Sequence, residues 1–164
     1  MNVIAIIKRI DLASFWMLLR LCIKHPLFLW PTFKATKVCL QVSTQHFGTA
    51  HYQNTPANAF RHAYWNYLIA RKCTKWSESN KKIMNWTSAI TDWHENAFKN
   101  RPLARLMDLH NNKIGRTVFL NNSKQSTEKV LLIFLEMTKD SIKISKEEEL
   151  PKNINNLVHI TDYQ

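Results

Sequence analysis

Asn54-Thr55-Pro56-Ala57-Asn58-Ala59-Phe60-Arg61-His62-Ala63-Tyr64-Trp65 decides the fold. A threonine before a proline is a helix start: Thr55 takes the N-cap and Pro56 the first helical position, where its missing N–H is not needed. Apolar residues then recur on every side, through Ala59, Phe60, Ala63, Trp65, Leu68 and Ile69. The pattern predicts a helix to about Cys73, buried all round at the centre of the molecule. Into it the chain sets an amide, a guanidinium and an imidazole: Asn58, Arg61 and His62.

Beyond it, Ser77 or Ser79 caps a helix over about 80–98. Asn100 with Pro102 opens another, which ends near Gly115 read as a C′ glycine. Ser126 or Thr127 caps one more, to about Ile144, and Leu157-Val158-His159-Ile160 reads as a short extended segment docked on the body. Before it, a helix is expected from about Ile4 to Lys24. His25-Pro26 and Trp30-Pro31 read as breaks, followed by a helix from Thr32 to about His46 and a turn at Gly48. The expectation is an all-α, single compact domain of five to seven helices around a central buried helix. Residues 1–31 form an apolar, basic N-terminal helical segment, and 32–164 the helical domain that carries the polar site.

Composition narrows the chemistry. Of 164 residues 45% are apolar, enough for a packed core. The only glycines are Gly48 and Gly115, which excludes the G-x-G-x-x-G loop, the P-loop and the G-x-S-x-G elbow. The formal charge of +11 points to an anionic partner: a phosphorylated substrate, an anionic lipid surface or nucleic acid. Nucleic acid is disfavoured, because no recognisable binding module interleaves aromatic and basic residues. Cys22, Cys39 and Cys73 are odd in number and lack C-x-x-C spacing, so they read as mostly buried thiols in a reducing compartment.

The first 31 residues hold two apolar runs, Val3–Ile7 and Leu12–Leu19, split by Lys8, Arg9 and Asp11. Neither approaches the roughly 20 residues of a membrane span, and no small-residue cleavage site follows. Phe15, Trp16, Phe28 and Trp30 lie beside Lys8, Arg9, Arg20, Lys24, Lys34 and Lys37, a composition that suits an interfacial segment as well as a helix buried on the core. The expected location is cytoplasmic, or peripheral at the inner face of the membrane.

Two later stretches answer the central helix: Trp93-His94-Glu95-Asn96 and Met107-Asp108-Leu109-His110-Asn111-Asn112. At 100° per residue His62, His94 and His110 fall on the apolar faces of three helices, with Glu95 and Asp108 at the edges. Burying so many polar groups is costly unless they satisfy one another or hold an ion. His62, His94, Glu95, Asp108 and His110 are therefore the candidate catalytic residues. Asn58, Arg61, Asn111, Asn112 and Arg116 are the candidate substrate contacts. His62, His110 and Asp108 are candidate ligands of a divalent metal such as zinc. Metal-free acid/base catalysis, with a histidine oriented by Glu95 or Asp108, fits the same residues.

The run Asn58-Ala59-Phe60-Arg61-His62-Ala63-Tyr64-Trp65, then His94-Glu95, then Met107-Asp108-Leu109-His110-Asn111-Asn112-Lys113-Ile114-Gly115-Arg116 resembles an all-helical bacterial domain family without a settled function. It occurs in small stand-alone proteins and at the ends of toxin-like polypeptides. The likeness covers about residues 35–120. It implies that Asn58, Arg61, His62, His94, Glu95, Asp108, His110, Asn111, Asn112 and Arg116 are the family's polar signature. It is more loosely similar to helical zinc phospholipases and HD-type phosphohydrolases, in which histidines and acids from several helices hold metals. The buried constellation, the basic balance and the Trp/Lys-rich start are what point to a hydrolase of a phosphate ester, such as a phospholipid. The competing expectation is a non-enzymatic, membrane-associated or partner-binding helical protein whose polar cluster is structural.

Overall fold

A computed structural model of the chain describes residues 11–98, 100–151 and 155–160. Six α-helices make up most of it: α1 (Leu12–Lys24), α2 (Pro26–Phe47), α3 (Pro56–Cys73), α4 (Asn80–Ala97), α5 (Pro102–Asn121) and α6 (Thr127–Lys139). Short 3-10 turns lie at Ala50–Tyr52 and Glu147–Glu149, and two-residue strands at β1 (Ile142–Lys143) and β2 (Val158–His159). The expected all-α domain is what forms.

The central helix runs as its spacing predicts, from Pro56 to Cys73. It packs against α2, α4, α5 and α6. Phe60, Tyr64 and Tyr67 project from it into a buried aromatic cluster with Phe119 and Phe134. The Tyr64 and Phe134 rings meet edge-on at 5.5 Å between centroids, the arrangement that ring quadrupoles favour.

Three boundaries differ from expectation. Trp30-Pro31 does not break α2, which starts at Pro26 and continues through Pro31. The proline sits in the second turn, and Thr32 Oγ1 donates 2.7 Å to the Phe28 carbonyl beside it. Helix α2 thus crosses residue 31, where a boundary between segments was expected. Gly115 does not end α5, which continues to Asn121; the glycine instead admits the backbone of α3, as an added Cβ would lie 2.7 Å from the carbonyl carbon of Ala63. Helix α6 stops at Lys139, not Ile144, because Ile142 and Lys143 pair in parallel with Val158 and His159. That pairing is how the extended C-terminal segment docks.

Helix α1 begins at an Asp11 N-cap, whose side chain accepts from Ser14 N at 2.8 Å. It lies on α4, with Trp93 Nε1 donating 2.8 Å to Ser14 O. It meets α2 at 113°, and no single helix among the described residues is long and apolar enough to cross a membrane. The expected run Val3–Ile7 with Lys8 and Arg9 lies outside the described residues. Cys39 and Cys73 are buried, Cys22 is half-buried, and all three are free thiols.

Candidate functional site

Three helices each deliver one ionisable group to one place: His62 from α3, Glu95 from α4 and Asp108 from α5, all buried. His62 Nδ1 lies 3.4 Å from Glu95 Oε1, and His62 Nε2 lies 3.3 Å from Asp108 Oδ1. The ligand-capable atoms of the three lie within 4.8 Å of one another.

The surrounding network assigns the histidine tautomer. Asn112 Oδ1 can only accept, and it lies 3.3 Å from His62 Nδ1. Arg61 can only donate, and its guanidinium lies 2.8 Å from Nε2. The proton of the neutral ring therefore sits on Nδ1, and Nε2 carries the lone pair. Arg61 is held in that pose by its Nε, which donates 3.0 Å to the His51 carbonyl.

Glu95 Oε1 receives three donors: His62 Nδ1, His94 Nδ1 at 3.3 Å and Asn112 Nδ2 at 3.2 Å. Burial alone would raise its pKa, but the hydrogen bonds and charges of His62 and His94 outweigh that and hold the carboxyl well below the usual range. Asp108 is pushed the other way. Burial raises its pKa, the nearby Glu95 charge adds to the rise, and His62 and Arg61 only partly oppose it. Two carboxyls a few ångströms apart are thus split into one firm anion and one that retains its proton to higher pH, a division typical of acid/base pairs.

Behind the site a chain of amides fixes Asn112. Asn66 Nδ2 donates 2.7 Å to Asn112 Oδ1, while Asn66 Oδ1 accepts from Thr91 Oγ1 at 3.1 Å and Arg116 at 2.9 Å. In front lies a cavity of about 270 Å³, lined by Asn58, Arg61, His62, His94, Glu95 and Asp108 among others. Asn58 Oδ1 and Asp108 Oδ1 are buried there without a hydrogen-bond partner among the described residues. With the His62 proton on Nδ1, Nε2 has no hydrogen to give the Asp108 oxygen 3.3 Å away.

Most of the expected cluster converges, but His110, Asn111, Asn112 and Arg116 do not line the cavity. Asn112, expected as a substrate contact, lies behind it and bonds His62 and Glu95 instead. His110 lies two residues, about 200°, round the helix from Asp108, and its Nε2 donates 3.0 Å to the Asn156 carbonyl. Asn111 grips β2 in both directions: its Nδ2 donates 2.8 Å to Val158 O, and its Oδ1 accepts 3.0 Å from Val158 N. Arg116 supports Asn66 instead of facing a ligand. The metal set expected as His62, His110 and Asp108 is geometrically His62, Glu95 and Asp108. His94 is the most accessible of the site's ionisable histidines, its side chain 34% exposed at the cavity edge. Sequence reasoning passed over Asn66, one turn after His62, and Thr91, one turn before Glu95; that four-residue spacing was the available signal. It also passed over Asn100, whose Nδ2 lies 3.5 Å from Asp108 Oδ2.

Among known proteins, the model of one family, described as a domain of unknown function (DUF6973), matches residues 19–144. No curated protein and no solved structure matches the chain.

Proposed function

The chain belongs to this domain family of unknown function, and from its site we propose that it is a hydrolase of phosphate esters in which His62 is the general base. The observation that carries this reading is the pair of buried, unpartnered acceptors, Asn58 Oδ1 and Asp108 Oδ1, in the same small cavity as the His62 lone pair and the Arg61 guanidinium. Two orphaned acceptors beside a base are wasteful in a structural network, but they suit a site that must hold a donor such as water.

In this reading the bound phosphoryl group draws the Arg61 Nη off His62 Nε2. A water takes its place, donates to Nε2 and to Asn58 Oδ1, and attacks phosphorus as the bond to the leaving oxygen breaks. His62 takes its proton, and the Glu95 anion stabilises the imidazolium through Nδ1–H. Arg61 faces the phosphoryl oxygens where negative charge develops. Asp108 gives its proton to the leaving oxygen. After product leaves, the His62 imidazolium returns a proton from Nε2 to the Asp108 carboxylate 3.3 Å away, so protons balance over the cycle.

A second reading keeps the same residues. The 4.8 Å spacing of His62, Glu95 and Asp108 and the unpartnered Asp108 oxygen fit one divalent cation such as zinc. The ion would lower the pKa of a bound water. Turnover assays over a panel of phosphate mono- and diesters, with chelator and with added zinc, manganese or magnesium, separate the two.

The same proposal places the protein at an anionic lipid surface. Leu12 is 73% and Ile23 71% exposed on α1, and Trp16, Trp30 and Phe33 are also open to solvent. Lys34 Nζ sits 5.0 Å above the Trp30 ring, and Arg20, Lys24 and Lys37 lie nearby in the sequence. Exposed aromatic and apolar side chains with interspersed cations match an interfacial element. The non-enzymatic alternative, a structural polar cluster in a partner-binding protein, predicts no turnover and is tested by the same assays.

A further inference from the structure

The polar cavity does not stand alone. A second groove of about 430 Å³ runs from it between α2, α3 and α4, and the two share Tyr52, Arg61, His94 and Phe98. Beyond the shared end its walls come from Leu40 and Cys39 on α2, Trp65 on α3 and Trp93 on α4.

The polar atoms of those walls are already engaged. Trp65 Nε1 donates 2.9 Å to Thr36 Oγ1, and Trp93 Nε1 donates 2.8 Å to Ser14 O. The Cys39 thiol donates 3.3 Å to the Arg61 carbonyl. The indole faces and the thiol are left as apolar surface, so polarity is concentrated where the groove meets the cavity. His94 stands at that junction, packed against Trp65 with ring centroids 5.2 Å apart and against Phe98 at 4.9 Å.

We infer that the ligand of this site is an amphiphile: an anionic phosphate head in the His62 cavity, joined to a single hydrocarbon chain lying in the Leu40–Trp65–Trp93 groove. The inference rests on the phosphate-ester reading for the head, while the groove assigns the chain. A soluble, wholly polar phosphate would leave the groove empty. A wholly apolar ligand would bury Arg61 and His94 against hydrocarbon, at a desolvation cost. The arrangement also suits an entry route, because Ser14, which meets Trp93, lies on α1 between the exposed Leu12 and Trp16. An amphiphile in a lipid surface would pass from that face toward the groove.

The test is calorimetric binding of butyl, hexyl and octyl phosphate to the full chain, below their micelle-forming concentrations. Burial of each methylene gains about fourfold, so affinity should rise on the order of 10² from butyl to octyl. Leu40 is half-buried, and Leu40→Glu places a charge in the groove; it should cut that gain to under about tenfold. Arg61→Gln should weaken all three ligands alike. Butyl and octyl phosphate of similar affinity would overturn the groove assignment, even if both are hydrolysed. A chain-length gain that survives Leu40→Glu would also overturn it, since the chain would then lie elsewhere, as on the exposed face of α1. Chain-length-dependent binding without turnover would keep the amphiphile site and remove the hydrolase reading. Because the wild-type series alone can overturn the inference, the proposal does not depend on the variant folding.

Discussion

Gly115 on α5 faces the carbonyl of Ala63 on α3 with no room for a side chain between them. A Cβ at Gly115 would meet the Ala63 backbone, 2.7 Å from its carbonyl carbon and 2.9 Å from its Cα. His62, next to Ala63, and Asp108 and Asn112, within two turns of Gly115, therefore meet because these helices touch backbone to backbone. Gly115→Ala would force α3 and α5 apart. Overpacking of this kind costs about 1–3 kcal/mol, or very roughly 3–10 °C in Tm at this chain length. Thermal unfolding by circular dichroism measures it, and an unchanged Tm would mean that the close approach is not present in solution.

Asn111 and His110 should behave as structural groups that hold the C-terminal strand. Asn111→Ala removes both bonds to Val158 and leaves its buried N–H and C=O unpaired, a loss of about 1–3 kcal/mol for a buried group. Amide exchange near Val158 and His159 should accelerate more than exchange in α3. If catalysis fell by orders of magnitude while the strand stayed protected, Asn111 would belong to the site after all.

The two site carboxyls should give opposite pH signatures in stability. Glu95 has a depressed folded pKa, so its stabilisation is fully present above the ordinary value of 4.5 and fades as pH falls toward the depressed value. Glu95→Gln should therefore be destabilising at neutral pH, by about 1.5–3 kcal/mol for loss of a charge-assisted hydrogen bond, and less so in acid. Asp108 has a raised folded pKa. Its penalty is absent below 3.8, appears as pH climbs toward the raised value, and is complete above it. Asp108→Asn should stabilise the protein at neutral pH and lose that gain below pH 3.8, while abolishing turnover. Denaturant unfolding at several pH values checks both signs.

The proposed lipid binding rests on the exposed α1–α2 surface. Vesicles with anionic lipid should co-sediment the chain. Each of Arg20→Gln and Lys24→Gln should weaken that binding by about 1 kcal/mol at low salt, and Trp16→Ser should weaken it at any salt. Binding unaffected by lipid charge would contradict the electrostatic part.

The fold was largely legible because helix punctuation is local. Thr55-Pro56, Ser79 and Ser126 mark starts that depend on only a few neighbouring residues, and the all-round apolar character of α3 follows from its own spacing. What failed was non-local. Gly115 reads as a helix stop until Ala63 is seen to lie against it. Ile142–Ile144 reads as helix until Val158 offers a partner strand. In the site, each residue's helix face was legible, but which neighbour each face meets was not. His110 points to the C-terminal strand, whereas Glu95, assigned only to the edge of its apolar face, lies at the centre. Asn66 and Thr91 were missed because a single amide or hydroxyl in an apolar helix has no signature of its own; only their four-residue spacing from His62 and Glu95 marks them.

The most direct test of the central claim is phosphate-ester turnover by wild type and His62→Ala, measured beside the melting temperature of both. The hydrolase account predicts measurable wild-type turnover and a fall on the order of 10²–10⁴ in a variant that remains folded. No wild-type turnover across mono- and diesters with each divalent metal, together with a His62→Ala variant that is chiefly less stable, would contradict it and leave the cluster as a structural network.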